Sequence, residues 1–563
     1  MSEPSSMSLP SHVQGRTDVP LIEEPIGLFL DRTCQEYGER DALICPAQGL
    51  WLSYRELLVQ VDAVGRGLLA IGLKKGDRIG IWSANRAEWV LLLLAAGRIG
   101  LILVTINPAY REPEALHALR LSGCRAVVAQ RAHKGSNYYQ MLASLTQGAE
   151  SARLPQLERV VALDDIPAIS PGWMTWAALL AAGTSVSERA LREAIEATDA
   201  AEPVNIQFTS GTTGAPKGAT LSHRNILNNG FFVGETLRFS PEDRLCLCVP
   251  LYHCFGLVMG VLGALTHGAA VVLSGEGFDP VAVLDTAEAE NCTALYGVPT
   301  MFIALLEEQG NKPRHLASLR TGIMAGAPCP EAIMRRVMRE LGMTEVTICY
   351  GMTETSPVSF QTQIDAPVSL RAETVGTVHP HVEVKVVDSL GRTVSRGETG
   401  ELLTRGYSVM IGYWGDADRT SEAVDANGWM HTGDLASIDE AGYCRVVGRI
   451  KDMLIRGGEN IYPREIEELL FQHEAVAEVQ VFGVPDERYG EEVCAWIRKK
   501  PGANLDADSL RQWCRERMAH YKVPRHVEFV ESFPMTVTGK AQKHLMREEM
   551  ARRLPRGGDR QGR

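Results

Sequence analysis

The run Val204-Asn205-Ile206-Gln207-Phe208 reads as a short strand, and it leads straight into Thr209-Ser210-Gly211-Thr212-Thr213-Gly214-Ala215-Pro216-Lys217-Gly218. These ten residues hold three glycines, four hydroxyls and one lysine. Glycine permits positive φ and lets backbone N–H groups approach an anion, hydroxyls add donors, and the lysine adds a mobile positive charge. A flexible surface loop is the alternative, but a lysine fixed between proline and glycine argues for phosphate handling. The pattern is not a Walker A loop, which needs Ser or Thr directly after Gly-Lys; here Gly218 follows Lys217.

At 563 residues, 45% of them hydrophobic, the chain is expected to form two or more domains. A formal charge of −12 and a pI near 5.7 give no reason to expect nucleic acid or an anionic membrane as partner. Anionic substrates must therefore meet local positive sites. Twelve cysteines show neither the paired density of a secreted scaffold nor a zinc-site spacing, so they are expected to be reduced and mostly buried in a cytosolic protein. Residues 1–20, rich in Ser and Pro, resemble neither a signal nor a transit peptide and are expected to be a disordered lead-in, and the basic tail 551–563 is expected to fray. The apolar run Trp89 to Ile106 is interrupted at Arg98-Ile99-Gly100 and reads as a buried helix passing into a buried strand rather than a membrane span.

From Ile22 to about Arg131, helical stretches alternate with apolar strands at 42–44, 78–82, 101–106 and 126–129, which indicates a parallel sheet covered by helices. A second series follows the glycine-rich loop, with strands at 244–249, 269–273, 294–296 and 346–349. Segments such as 382–387 and 400–403 alternate apolar with polar residues, as in a small antiparallel sheet or barrel. The last hundred or so residues, with strands at 476–482 and 492–497, read as a separate α+β domain.

Further stretches carry chemistry. Leu251-Tyr252-His253-Cys254-Phe255-Gly256 precedes an uncharged helix with Gly256, Gly260 and Gly263 near one face. For His253 the reading as a core histidine stays open beside a functional one. Met324-Ala325-Gly326-Ala327-Pro328 is a small-residue turn, informative only through its position. Tyr350-Gly351-Met352-Thr353-Glu354-Thr355 follows an expected strand and offers a carboxylate, and Mg²⁺ prefers one or two carboxylates plus phosphate oxygens to a full protein cage. His431-Thr432-Gly433-Asp434-Leu435 presents another carboxylate at a glycine turn, able to accept hydrogen bonds from two hydroxyls, although turns are full of aspartates. Gly448-Arg449-Ile450-Lys451-Asp452 marks the domain junction. Beyond it come the run Arg456 to Glu467, with Gly457, Gly458 and Glu459 at its start, and Pro534-Met535-Thr536-Val537-Thr538-Gly539-Lys540.

In this order, over residues 208 to 540, these stretches resemble the motif set of the acyl-adenylate-forming superfamily, with no departure at a motif residue. The similarity is greatest to fatty acyl-CoA synthetases of the acyl-CoA synthetase family member 2 type. The resemblance implies a large N-terminal domain, 21–449, of two Rossmann-like α/β/α subdomains plus a small β-barrel, a hinge at 450–452 centred on Lys451, and a small mobile α+β domain at 453–550. It implies ATP or AMP binding by Thr209, Ser210, Gly211, Thr212, Thr213, Gly214, Lys217, Gly326, Ala327, Pro328, Tyr350, Gly351, Met352, Thr353, Asp434, Arg449 and Lys540. Tyr350 would stack on adenine, Thr353 contact the α-phosphate, Asp434 the ribose, and Glu354 hold Mg²⁺. Lys540, Thr353, Glu354 and Lys217 would be catalytic, Gly457, Gly458 and Glu459 would meet CoA, and His253, Phe255 and Gly256 would border the acyl pocket.

The implied reaction is ATP-dependent: a carboxylic acid, best a medium-chain fatty acid, becomes acyl-AMP with release of pyrophosphate, and CoA then displaces AMP. Short-chain, hydroxylated or aryl acids are alternatives. So are transfer to a carrier protein, a luciferase-like oxygenase and a non-catalytic nucleotide-binding scaffold. The expected partners are small molecules, with a homodimer as a possible assembly and the cytoplasm as the location.

Overall fold

The computed structural model describes residues 9–146, 153–164, 172–209, 216–327, 329–536 and 541–553. Two sheets form the body of the large domain. The first has eight strands in the order Trp173–Thr175, Arg159–Ala162, Ala126–Ala129, Arg78–Trp82, Ile102–Thr105, Pro203–Thr209, Lys217–Ser222 and Gly412–Tyr413. Its strands run parallel as far as Pro203–Thr209, and the last two are added antiparallel. The second has seven: Glu345–Thr347, Thr321–Met324, Ala294–Gly297, Arg244–Leu247, Ala270–Leu273, Asp41–Cys45 and Leu50–Ser53. Strands such as Ile102–Thr105, Ala126–Ala129 and Ala270–Leu273 are buried at every position, because helices cover both faces. That is why they read as unbroken apolar runs. The run beginning at Trp89 divides as its sequence implies, into the helix Ala87–Arg98 and the strand Ile102–Thr105. Arg98 at its break is buried and held by Asp31 at 2.7 Å and Asp62 at 2.6 Å.

Three local expectations change. The segment 346–349 is not one strand: Glu345–Thr347 ends the seven-stranded sheet, and Cys349–Gly351 begins a separate three-stranded one. The lead-in is shorter than 1–20, because His12–Gln14 pairs antiparallel with Val382–Val387 at the edge of a five-stranded antiparallel sheet. His12 donates through Nε2 to Glu383 at 2.6 Å, a contact no local sequence signal could disclose. Nor does the tail begin at 551, since the last helix runs Lys543–Arg553.

The five-stranded sheet ends with Cys444–Arg449, and the short turn Ile450–Asp452 follows. The chain then enters a sheet of its own, built on the long hairpin Val476–Asp486 and Gly490–Lys499, with a separate core that includes Leu454, Ile466, Val481 and Leu510. All twelve cysteines are free thiols and eleven are buried. Among the described residues no helix is long and apolar enough to cross a membrane.

Two histidines inside the large domain are buried as neutral rings. His223 accepts from the Ile26 N–H through Nδ1 at 3.2 Å, while His379 donates from Nε2 to Gln361 at 3.0 Å. Their other ring nitrogens have no hydrogen-bond partner among the described residues. Burial lowers both pKa values from 6.5 to about 3. Above pH 6.5 neither state holds the proton; below it the unfolded chain binds one at each ring and the folded chain does not. Stability should therefore fall by roughly 1.4 kcal/mol per pH unit per histidine as pH drops from 6.5 toward 3. Denaturant unfolding of the parent and of His379→Gln across this window checks it: the variant should show the shallower acid slope, and an unchanged slope contradicts the assignment.

Candidate active site

The glycine-rich stretch closes a hairpin. Pro203–Thr209 and Lys217–Ser222 are antiparallel neighbours with Thr209 opposite Lys217, so the loop's two ends are fixed beside each other at the carboxyl end of the eight-stranded sheet. That end is where ligands bind in open α/β sheets. The loop's exit is pinned by His117, which donates from Nε2 to the Pro216 carbonyl at 2.9 Å, and by the Trp414 N–H, which donates to the Gly218 carbonyl at 2.8 Å. A Cβ on Gly218 would stand 2.8 Å from the Ile206 side chain. Ser210, Gly211, Thr212, Thr213 and Gly214 lie outside the described residues, as do Pro328 and Lys540.

Opposite the hairpin sits Glu354, on the single turn Thr353–Thr355. Its side chain is buried, and its Oε1 accepts from the Tyr413 hydroxyl at 2.9 Å and the Thr209 hydroxyl at 3.3 Å. No basic side chain among the described residues forms an ion pair with it; the Lys217 ammonium stands 4.7 Å from the centroid of the Tyr413 ring instead. A buried carboxylate held, among the described residues, by neutral donors suits a divalent cation that arrives with phosphate oxygens. Among the described residues no group of three or more His, Cys, Asp or Glu is arranged to hold a metal ion. Burial, with the Glu354 charge second, raises the Tyr413 phenol far above its ordinary range, so it remains a donor.

Thr353 is also buried, with its hydroxyl 3.8 Å from the Cys254 thiol, which in turn lies 3.5 Å from His253 Nδ1. The Phe255 N–H donates to the same Nδ1 at 3.2 Å, so the neutral ring carries its proton on Nε2. From this point Phe255–Leu262 forms a π-helical segment in which all eight residues are buried. Gly256, Gly260 and Gly263 each admit a close neighbour. A Cβ on Gly256 would lie 2.4 Å from the Pro250 carbonyl oxygen and one on Gly260 2.7 Å from Leu247, while Gly263 faces Gly230. Gly260 seats the segment against the strand Arg244–Leu247 and Gly263 against the helix His223–Thr236, and Phe255 stacks on Tyr296 at 5.6 Å.

The residues expected at adenine and ribose are joined to each other. Tyr350 donates its hydroxyl to Asp434 Oδ2 at 2.5 Å, and Arg449 Nε lies 3.5 Å from Oδ1 of the same carboxylate. The antiparallel pairing that puts Asp434 opposite Arg449 accounts for the second contact. Burial first, and then the Asp434 charge, push the Tyr350 phenol well above its usual pKa. Gly351 and Met352 continue from Tyr350, and a Cβ on Gly351 would stand 1.7 Å from the Pro357 carbonyl oxygen, so the chain can pass there only as glycine. Gly326, at φ +90°, and Ala327 are exposed at the carboxyl end of Thr321–Met324.

In the small domain, Gly457, Gly458 and Glu459 form an exposed turn between Leu454–Arg456 and Glu459–Ile461. Arg456 fixes its base through two 2.8 Å bonds to Glu492. Met535, in the other small-domain stretch, lines a cleft with Thr300 of the large domain. Lys451 is exposed on the junction turn, whose Asp452 lies 3.9 Å from Arg547.

Sequence reasoning missed Tyr413 and Cys254. Cys254 stood inside a quoted stretch but had no chemistry of its own to mark it. Tyr413 owes its position to strand pairing with Ala219, which neither spacing nor composition reveals.

Comparison with known proteins agrees with this geometry. Residues 30–414 match the AMP-binding enzyme family and residues 465–540 the AMP-binding enzyme C-terminal domain. The medium-chain acyl-CoA ligase ACSF2 of Danio rerio is 43% identical over 97% of this chain and 91% of its own. The crystal structure of the anthranilate CoA ligase AuaEII with anthranoyl-AMP superposes with a TM-score of 0.84 at 27% identity, covering 96% of this chain and 99% of that one. ATP-bound MatB from Rhodopseudomonas palustris gives 0.80 at 30% identity, covering 94% and 99%. With two thirds of its length matched by one family model and the small domain by its companion, the chain belongs to the AMP-binding enzymes.

Proposed function

We propose that the enzyme is an AMP-forming ligase that joins a medium-chain fatty acid to CoA. The acid's carboxylate attacks the α-phosphorus of ATP, pyrophosphate leaves, and the CoA thiolate then attacks the acyl carbon and expels AMP. The observation that carries the substrate class is the apolar segment Phe255–Leu262, which starts directly beside Cys254 and Thr353 and is uncharged and buried throughout. A ligand threaded along it would meet hydrocarbon from the reacting carboxylate outward. Each methylene so buried is worth about 0.8 kcal/mol, roughly fourfold in affinity, until the chain meets a floor. The likeness to a medium-chain acyl-CoA ligase supports the same length class.

In the first step nucleophile and electrophile are both anionic, so the site's task is charge neutralisation and alignment rather than proton transfer. Glu354 would hold Mg²⁺, which when bound neutralises phosphate charge. Thr353 would donate to the α-phosphate, and Lys217 with the Thr209–Gly214 loop would bind the leaving phosphates. Asp434 would accept from the ribose, with Tyr350, Gly351, Gly326, Ala327 and Pro328 around the adenine and Arg449 at its side. Lys540 would meet the α-phosphate. A lysine about 4 Å from a phosphoryl oxygen contributes on the order of 4 kcal/mol at an intermediate dielectric, several hundred-fold in rate. The Gly457-Gly458-Glu459 turn would line the path of the CoA arm after a swing about Lys451. Free, buried thiols fit a reducing cytoplasm, and a homodimer completes the reading; fractionation and sedimentation velocity test these two points.

Pyrophosphate release measured across straight-chain, hydroxylated and aromatic acids, with and without CoA, tests the function. Turnover should be acid-dependent, need CoA and peak with medium chains; release limited to about one equivalent with CoA present favours a carrier-protein acceptor, and none with any acid favours a scaffold. Lys540→Ala should lose at least about a hundredfold in pyrophosphate release yet still convert supplied acyl-AMP to acyl-CoA. Equal loss of both half-reactions contradicts the role given to this lysine.

A further inference from the structure

Two hydroxyls converge on one oxygen of Glu354. Thr209 and Tyr413 both donate to Oε1, and no hydrogen bond among the described residues engages Oε2. A carboxylate whose Oε1 is held from two directions has its plane fixed, and its second oxygen is then presented in one orientation. Tyr413 is itself held in place. Its N–H donates to the Thr420 hydroxyl at 2.9 Å, the Trp414 N–H after it donates to Gly218 at 2.8 Å, and its strand pairs with the hairpin that carries Lys217. The same segment grips the turn of Glu354 a second time, through the Met410 N–H, which donates to the Glu354 carbonyl at 2.9 Å. The ring of Tyr413 meanwhile lies under the Lys217 ammonium. One side chain thus touches two of the charged groups expected to meet the phosphates or their metal.

From this we infer that Tyr413 is the positioning residue of the metal-binding carboxylate: with Thr209 it holds Glu354 by Oε1 so that Oε2 faces the divalent cation, while its ring seats Lys217. The inference rests on the reading of Glu354 as the cation's carboxylate. It adds a residue from outside the glycine-rich, Thr353-Glu354 and Asp434 stretches. It also explains why an edge strand of only two residues, Gly412–Tyr413, joins the eight-stranded sheet at this point.

The test is a binding measurement made without the acid substrate, so that no turnover occurs. Mn²⁺ affinity for the enzyme·ATP complex is read from the signal of free Mn²⁺ by electron paramagnetic resonance, for the parent, Tyr413→Phe, Glu354→Gln and the double variant. Tyr413→Phe deletes one oxygen and keeps the ring under Lys217. Loss of an outer partner of a metal ligand typically weakens the metal about tenfold, and that is the change expected here, with metal-free ATP affinity unchanged. In the double variant Tyr413→Phe should add nothing, because its effect acts through the Glu354 carboxylate. Thr209→Val, which removes the other donor, should weaken Mn²⁺ in the same direction and serves as the second variant if Tyr413→Phe fails to fold. Unchanged Mn²⁺ affinity in Tyr413→Phe, or an effect of equal size with and without Glu354→Gln, overturns the inference while leaving Glu354 as the ligand. Unchanged affinity in Glu354→Gln overturns the metal reading itself.

Discussion

Glu354 is a buried carboxylate with neutral hydroxyls for partners, and much of the large domain is arranged to hold it in that condition. Taking a carboxylate out of water costs several kcal/mol unless hydrogen bonds or a cation compensate. The compensating donors come from distant parts of the chain: Thr209 from the end of a central strand, and Tyr413 from an edge strand some two hundred residues later. Both strands belong to the eight-stranded sheet, whereas the turn of Glu354 joins Cys349–Gly351 to Val358–Gln361 in the three-stranded one. The carboxylate therefore stands where two sheets meet, and hydroxyl contacts to it tie them together at the level of the glycine-rich loop.

From that junction contacts lead on to the remaining candidate groups. Thr353 is adjacent in sequence, and its hydroxyl meets Cys254, from which the apolar π-helical segment departs. The Tyr350–Asp434–Arg449 set lies at the other end of the same stretch, where the antiparallel sheet hands the chain to the junction turn. Thr353 thus touches the residue from which an uncharged, buried segment begins, while its own turn carries Glu354 and adjoins Tyr350.

Much of the architecture is legible in the sequence because parallel strands buried on both faces are written as short, largely apolar runs: Arg78–Trp82 and Ala126–Ala129 occur at the expected residues. Candidate site residues are legible where a motif is local, as in Tyr350 to Thr355. What stayed hidden depends on register and on contacts distant in sequence. The pairing of Tyr413 with Ala219 aims a phenol at Glu354, yet nothing near Gly412-Tyr413-Trp414 hints at it. His12–Gln14 looks like part of a polar lead-in until its partner strand is known. The π-helical pitch of Phe255–Leu262 is invisible in a uniformly apolar run, where neither period leaves a polar face to mark it. The break at Ile348 was missed because apolar content continues through it while the strand changes sheets.

The central claim is that this site activates a carboxylate by attack on the α-phosphorus of ATP. Isotope transfer addresses it directly: a fatty acid carrying heavy oxygen in its carboxylate is turned over with ATP and CoA, and the products are weighed by mass spectrometry. The account predicts one heavy oxygen in the AMP released and none in pyrophosphate. Label recovered in inorganic phosphate, with ADP as the nucleotide product, would mean attack at the γ-phosphorus and would contradict it.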